Sequence, residues 1–180
     1  MKTEFEHVLT STYKDGMISY MSDHPGAFEE AIELAVSNKQ PYSWRSAWLL
    51  WAVIEENDHR IQKHIKTILN SLPDKEDGHQ RELIKILSKM ELNDRQQGIL
   101  FDICMSLWEK INKTPSVRYT AFKFILESAK KHPELAKDII YLTQDHYLDS
   151  LSPGAKKSII KMLDEFYRQQ TKRNKFSGKF

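Results

Sequence analysis

The chain has 180 residues, of which 40% are hydrophobic, and carries a formal net charge of +2, which suits one soluble core of ordinary size. Its longest unbroken apolar run, residues 47–54, is far shorter than the roughly 20 residues that cross a bilayer, and the first residues lack the apolar segment of a secretory signal. The lone Cys104 excludes an intramolecular disulfide framework, so we expect a cytoplasmic protein.

Apolar residues recur at helical spacing along nearly the whole chain, and no segment alternates with period two for long. Prolines and glycines fall between these segments, where they begin or end helices. Short connections between helices favour antiparallel neighbours. The pattern predicts ten helices, over residues 3–13, 15–22, 26–38, 43–56, 58–71, 78–91, 95–112, 116–131, 133–148 and 154–170.

Internal repetition indicates how these helices are organised. The segments "YSWRSAWLLWAV", "DGHQRELIKILS" and "TPSVRYTAFKFIL" align on Arg45, Arg81 and Arg118, which are 36 and 37 residues apart. Two segments that begin with His-Pro, "HPGAFEEAIEL" and "HPELAKDIIYL", lie 108 residues apart, or three such periods. A period near 36 that holds two helices predicts an α-solenoid.

In these segments the sequence resembles the HEAT and armadillo-like repeat superfamily, most closely in "VRYTAFKFIL". "YSWRSAWLLWAVIEEN" and "KKHPEL" are similar to small bacterial HEAT-like proteins. The resemblance implies an all-α superhelix, a HEAT-like solenoid with N-terminal capping helices. We expect one domain over residues 1–170 and a flexible basic tail over residues 171–180. The helix pairs are about four in number, over residues 26–56, 58–91, 95–131 and 133–170.

The tryptophans of "YSWRSAWLLWAV" raise the question of whether they form a binding site or a core. Trp44, Trp48 and Trp51 fall on one face of the predicted helix, and leucines, valine and isoleucine cover most of the rest. A helix that is apolar on nearly all sides is covered by several neighbours, and tryptophan supplies a large buried area. We therefore predict that these tryptophans belong to the core.

The repeated arginines are the best candidates for a functional surface. HEAT-like folds line their concave side with the second helix of each pair, so the resemblance implies that the arginines stack along that side. One interpretation is structural, with each arginine bonded to an acid or to a helix C-terminal carbonyl of the next repeat. The other is a strip that recognises anions, extended by lysines. The candidate partner-binding residues are Arg45, Arg81, Lys85, Arg118, Tyr119 and Lys123.

Motifs for catalysis or cofactor binding do not stand out in the sequence. Its six glycines are scattered, with no phosphate-binding loop and no "GxSxG". His59 and His64 are five residues apart rather than the four that suit two metal ligands on a helix, and one cysteine cannot build a zinc knuckle. We therefore predict neither metal nor cofactor, no enzymatic activity and no membrane association. The predicted function is a scaffold that binds an acidic segment of another protein on its concave face.

A nucleic-acid-binding protein related to the HEAT-like alkylpurine DNA glycosylases is the alternative. Those enzymes share the fold and use tryptophans with an acid and an arginine in a basic groove. Here no acid lies between Trp44 and Ile54. Residues 1–90 carry 11 Lys and Arg against 14 Asp and Glu, a net charge of −3, whereas residues 91–180 carry 16 against 11, a net charge of +5. The tryptophan segment thus lies in the acidic half, which disfavours a nucleic-acid groove there.

Overall fold

The computed structural model describes residues 2–177, with side chains described for residues 2–171. The described residues are 78% helical and contain no β-strand. Its helices pack against their neighbours. The predicted all-α fold class is therefore confirmed.

Twelve α-helices follow one another along the described residues, and most match the predicted segments to within a few residues. In chain order they are α1 (Glu4–Ser11), α2 (Lys14–Asp23), α3 (Ala27–Val36), α4 (Tyr42–Val53), α5 (His59–Gln62), α6 (Ile65–Ser71), α7 (Asp77–Ser88), α8 (Asp94–Glu109), α9 (Pro115–Lys131), α10 (Ala136–Leu142), α11 (Asp145–Leu148) and α12 (Pro153–Ser177). Short 3-10 turns precede α7, at Leu72–Asp74, and α10, at Pro133–Leu135.

Two predicted helices are each divided by a turn. The helix expected over residues 58–71 becomes α5 and α6, because the backbone N–H of His64 donates to the carbonyl of Ile61 at 2.8 Å and closes a tight turn. Ile61 and Ile65 are both buried and remain four residues apart across the turn. The apolar spacing is therefore unbroken, and the pattern alone could not indicate the division.

The helix expected over residues 133–148 is divided at Thr143. The hydroxyl of Thr143 donates to the carbonyls of Ile139 and Ile140, at 3.0 and 3.1 Å. Bonds of this kind compete with the helical backbone pattern. Gln144 then takes an extended conformation and precedes α11. The first helix of this predicted pair is consequently a 3-10 turn followed by two short helices.

The chain forms two compact units, Met1–Leu100 and Phe101–Phe180, and the boundary falls inside α8. The expectation of one domain over residues 1–170 stays a prediction. The same holds for the basic tail over residues 171–180, because most of its side chains lie outside the described part of the chain.

In the first unit α4 is the central helix, and α1, α2, α3 and α7 all pack against it. It turns small side chains toward α3, where the buried hydroxyl of Ser46 donates to the carbonyl of Ala31 at 2.7 Å. Leu49 and Leu50 are fully buried beside this contact. Close packing against α3 therefore depends on small residues, with leucines filling the remaining space.

Side chains of the second helix pair hold the end of α3. Lys75 donates from its Nζ to the carbonyls of Val36 and Ser37, at 2.7 and 2.8 Å. His79 donates from Nε2 to the carbonyl of Ala35 at 2.7 Å. The last carbonyls of a helix lack partners within the helix, so these bonds satisfy groups that burial would otherwise leave unpaired. They join the second pair to the first.

In the second unit α9 is the central helix, and α10 and α12 pack against it. Trp108, at the end of α8, is fully buried and lies against Phe122 of α9, with ring centroids 4.5 Å apart. Its indole N–H donates to the carbonyl of Leu142 at the end of α10, at 2.8 Å. Ile159 and Phe166 of α12 are also fully buried. This unit therefore has a core of its own.

His79 should make the first unit sensitive to acid. Burial lowers the pKa of His79 below its ordinary value, so the unfolded chain takes up a proton that the folded chain resists. The free energy of unfolding should therefore fall as the pH drops through about 6.5, the ordinary histidine value. Urea unfolding of the wild type and of His79→Gln measures this. The stability advantage of the wild type should narrow between about pH 7 and about pH 5. A constant difference would contradict the account.

Candidate binding face

α4 presents its three tryptophans on its more accessible side. Trp44 is 38% exposed, and Trp48 and Trp51 are half-buried. Arg45 is half-buried too, and the helical period places the four residues within about a third of the helix circumference. The prediction that these tryptophans belong to the core is therefore wrong. Trp108 is the fully buried tryptophan instead.

Close packing between α3 and α4 explains the error. Ser43 and Ser46 are fully buried on the side of α4 that faces α3. Ser43 Oγ lies 2.9 Å from Ser37 Oγ, just beyond the end of α3. An indole ring would not fit between backbones that approach this closely. The side with the small residues is the buried one, and the tryptophans lie on the other.

α7 and the residue that follows it place two lysines beside Trp51. Lys85 Nζ lies 3.2 Å from the centroid of the Trp51 ring, and Lys89 Nζ lies 5.5 Å from it. Lys89 also donates to the carbonyls of Trp51 and Ile54, at 3.1 and 2.8 Å, and so caps the end of α4. Lys89 directly follows α7 and Ile54 directly follows α4, so their contact brings the C-terminal ends of the two helices together. The helices α4 and α7 therefore run in the same direction. Their accessible sides meet at Trp51.

A buried carboxylate holds the cations of α7 in place. Glu82 is 1% exposed and accepts hydrogen bonds from Arg81 Nε at 2.8 Å and from Lys85 Nζ at 2.7 Å. The side chains of Arg81 and Lys85 remain 35% and 25% exposed. Two cations that share one carboxylate keep a net positive charge and lose much of their rotamer freedom. They therefore reach solvent in defined positions.

Arg45 combines a structural contact with an accessible one. Its Nη1 donates to the carbonyl of Leu9 in the last turn of α1, at 3.0 Å. Its guanidinium lies 5.3 Å from the centroid of the Trp44 ring. The Nε of Arg45 is buried and has no hydrogen-bond partner among the described residues. The structural interpretation of the arginines thus accounts for the bond of Nη1 but not for the position of Nε.

We call the surface formed by Trp44, Arg45, Trp48, Trp51, Arg81, Lys85 and Lys89 the tryptophan–cation face. It carries four cations, and among the described residues Glu82 is the carboxylate that bonds to them. Glu82 and Lys89 were not among the predicted site residues. Lys89 directly follows the last residue of α7 and comes four residues after Lys85, so it continues the same side of the helix, and this spacing was the available signal. Glu82 gave no signal, because a glutamate in a helix is usually exposed.

Arg118 does not belong to an accessible surface, which corrects the prediction for this residue. Its side chain is 0% exposed. Nε donates to the carbonyl of Trp108 at 3.0 Å, Nη1 to Ser150 Oγ at 2.6 Å, and Nη2 to the carbonyl of Tyr147 at 3.0 Å. Burial lowers the pKa of Arg118. The guanidinium joins the end of α8 to α11 and its following turn, as the structural interpretation expects.

The last two predicted residues lie on the accessible part of α9. Tyr119 is half-buried and Lys123 is exposed. They are four residues apart and therefore share one side of the helix. They belong to the second unit, whereas the tryptophan–cation face belongs to the first.

Other chemistry has little support in the described residues. No three histidine, cysteine, aspartate or glutamate side chains come together there as a metal site would require. Cys104 is fully buried, and burial raises the pKa of its thiol, which keeps it protonated and unreactive. Among the described helices, none combines the length and apolar character that a membrane crossing requires.

Comparison with known proteins identifies a family. A family model described as a HEAT repeat domain matches residues 1–166 of the chain. No curated protein and no solved structure matches it. The match extends across both α4 and α7 and through most of α12, so the helix pairs of both units lie within it.

Arg118 and Lys123 offer a matched test of burial on one helix. Replacing Arg118 with Ala leaves two carbonyls and a hydroxyl without their donor and opens a cavity, so the free energy of unfolding should fall by about 3–5 kcal/mol. Replacing the exposed Lys123 with Ala should change it by less than about 0.5 kcal/mol. Urea denaturation followed by circular dichroism measures both. Similar small effects would show that Arg118 is not structural.

Proposed function

Because the chain belongs to the HEAT repeat domain family, we propose that it is a non-catalytic scaffold whose tryptophan–cation face binds an acidic segment of a partner protein. HEAT repeats generally lack catalytic activity and typically mediate protein interactions. The observation that carries the proposal is the position of Lys85 Nζ, 3.2 Å from the centroid of a half-buried Trp51 ring. It combines an anion-binding group and an apolar contact surface in one place.

The charge of the face favours an acidic partner. Arg81 and Lys85 share Glu82, and Arg45 and Lys89 bond to neutral carbonyls. In the part of the chain that the structure describes, Glu82 is the carboxylate that bonds to these four cations, which leaves an excess of positive charge. Carboxylates of an approaching peptide can bind Arg81 and Lys85 on their exposed sides, because each cation has donors beyond those that Glu82 uses.

The tryptophans favour a protein segment as the source of that charge. Trp44, Trp48 and Trp51 present large, rigid apolar surfaces that lose little entropy when a partner covers them. Tryptophan and arginine are the residues that most often dominate binding energy at protein interfaces. A peptide with acidic residues next to an aromatic or aliphatic side chain would use both parts of the face.

The second unit would supply a further contact. Lys123 and Tyr119 lie on one side of α9, and Lys123 is exposed. We include them as a separate candidate contact of the second unit. Arg118 is not part of the proposed surface, because its side chain is buried and each of its three guanidinium nitrogens donates a hydrogen bond inside the unit.

The proposed compartment is the cytoplasm. It rests on Cys104, which is the chain's one cysteine and is buried as a thiol. Proteins of oxidising compartments commonly use their cysteines in disulfides.

A labelled peptide rich in glutamate and containing two phenylalanines tests the proposal. It should bind the wild type with an affinity that falls as salt is added, because exposed charges are screened. The double variant Arg45→Gln, Lys85→Gln should bind at least about tenfold more weakly. Lys66→Gln changes an exposed lysine on α6 and is the matched control, expected to bind as the wild type does. Fluorescence anisotropy measures the affinities, and thermal melting confirms that the variants fold.

Duplex DNA provides the opposing arm of the same experiment. If DNA bound more tightly than the acidic peptide, and the double variant lost that binding, the face would be a nucleic-acid site and the proposal would be wrong. The intrinsic fluorescence of the chain locates the contact, because three of its four tryptophans lie on the face and Trp108 is buried. Peptide binding that left this fluorescence unchanged would also contradict the proposal.

A further inference from the structure

α12 carries two apolar stripes, and only one of them is buried. Ile159 and Phe166 are fully buried in the second unit. Ile160 and Tyr167 are 43% and 40% exposed. These two residues are seven apart, so they lie on the same side of the helix, about 10 Å from each other along its axis. The exposed stripe runs directly beside the buried one.

Cations border the exposed stripe on its outer side. Lys157, Lys161 and Arg168 are exposed and recur at helical spacing. Asp164 and Glu165 are the exposed acids beside these cations, two against three. Lys156 is excluded from the ridge, because it pairs with Asp149. The ridge therefore keeps an excess of positive charge next to an uncovered apolar stripe.

We propose that this side of α12, formed by Lys157, Ile160, Lys161, Tyr167 and Arg168, docks an acidic amphipathic helix of a partner protein. Leucine-like side chains of that helix would cover Ile160 and Tyr167, while glutamates on its border would bind Lys157, Lys161 and Arg168. The site is distinct from the tryptophan–cation face, which belongs to the first unit. It does not depend on that face being functional.

The geometry favours a helix over an extended segment. Apolar anchors seven residues apart on α12 match the i, i+3 or i+4, and i+7 spacing of an amphipathic helix that lies alongside. Stacking one helix on another is also how each HEAT-like repeat buries its apolar side. The cationic ridge selects the charge of the partner, because an acidic border gains ion pairs there and a basic border is repelled.

The α10 helix offers a control for the apolar contribution to peptide binding. Ile140 and Tyr141 are 62% and 66% exposed, more than the apolar residues of α12. The exposed charges beside them on α10, Lys137 and Asp138, are of opposite sign. An apolar peptide that simply adhered to exposed residues would prefer this pair. A partner that needs the cationic ridge would not.

Two labelled peptides test the proposal with the full chain. Both have leucines at helical spacing, and the bordering residues are glutamates in one and lysines in the other. The glutamate peptide should bind, and the lysine peptide should bind at least about tenfold more weakly. Lys157→Glu with Lys161→Glu, and Ile160→Ser with Tyr167→Ser, should each weaken binding of the glutamate peptide at least about tenfold. Ile140→Ser with Tyr141→Ser should change it less than about twofold.

Three outcomes would overturn the proposal. Equal affinity for the two peptides would exclude charge selection, and equal loss in the α10 and α12 variants would exclude the assigned location. Light scattering supplies the third. If the wild type had twice the mass of one 21.2 kDa chain, and the double variant Ile160→Ser, Tyr167→Ser had the mass of a single chain, a second copy would cover the stripe. The proposed function of the first unit is tested with different variants, so either result can stand without the other.

Discussion

Cationic side chains in or next to one helix donate hydrogen bonds to carbonyl oxygens at the end of another helix, and this interaction joins successive helix pairs. Arg45 bonds to the end of α1, Lys75 to the end of α3 and Lys89 to the end of α4. The residues joined are 36, 39 and 35 positions apart, close to the period of the sequence repeat. In the second unit Arg118 bonds to the end of α8. Carbonyls at helix ends carry partial negative charge and need outside donors, so a cation suits the position.

The same interaction explains why the first unit has a cationic surface at all. A lysine or arginine that reaches a neighbouring helix end must lie at the border between two helices, with its stem against apolar side chains. Lys89 and Arg45 do so on either end of α4, and Glu82 holds two further cations between them. The hydrogen bonds that hold the helices together thus place positive charge beside the tryptophans. A partner with acidic residues could then use charge that the fold already requires.

Sequence patterns predicted most of the fold because they report local physics. The 3.6-residue period located the helices, and a repeat of 36 residues indicated that similar helices occupy equivalent positions. Where the pattern failed, a local side-chain hydrogen bond or a contact between helices decided the outcome. The Thr143 hydroxyl bonds to the carbonyl of Ile139 and the helix ends there, although the apolar period continues. Ser46 lets α3 and α4 pack closely, so Trp48 lies on the other side of α4.

Burial of single charged residues was the part that sequence could not supply. Arg81 and Arg118 occupy equivalent positions in the repeat, yet the side chain of one is 35% exposed and that of the other is fully buried. The difference comes from Trp108 and Tyr147, whose carbonyls surround Arg118 in the second unit. Nothing near Arg118 in the sequence indicates that these carbonyls are within reach.

The stability of Lys75→Met relative to Lys66→Met tests the central interaction most directly. Methionine keeps the apolar stem of Lys75 but removes the ammonium that bonds to Val36, Ser37 and Asn38. The free energy of unfolding in urea should fall by about 2–4 kcal/mol, because the carbonyls at the end of α3 lose their donor. Because Lys66 is exposed, the Lys66→Met variant should change the free energy of unfolding by less than about 0.5 kcal/mol. Equal stability of the two variants would show that cations at helix ends do not hold the pairs together.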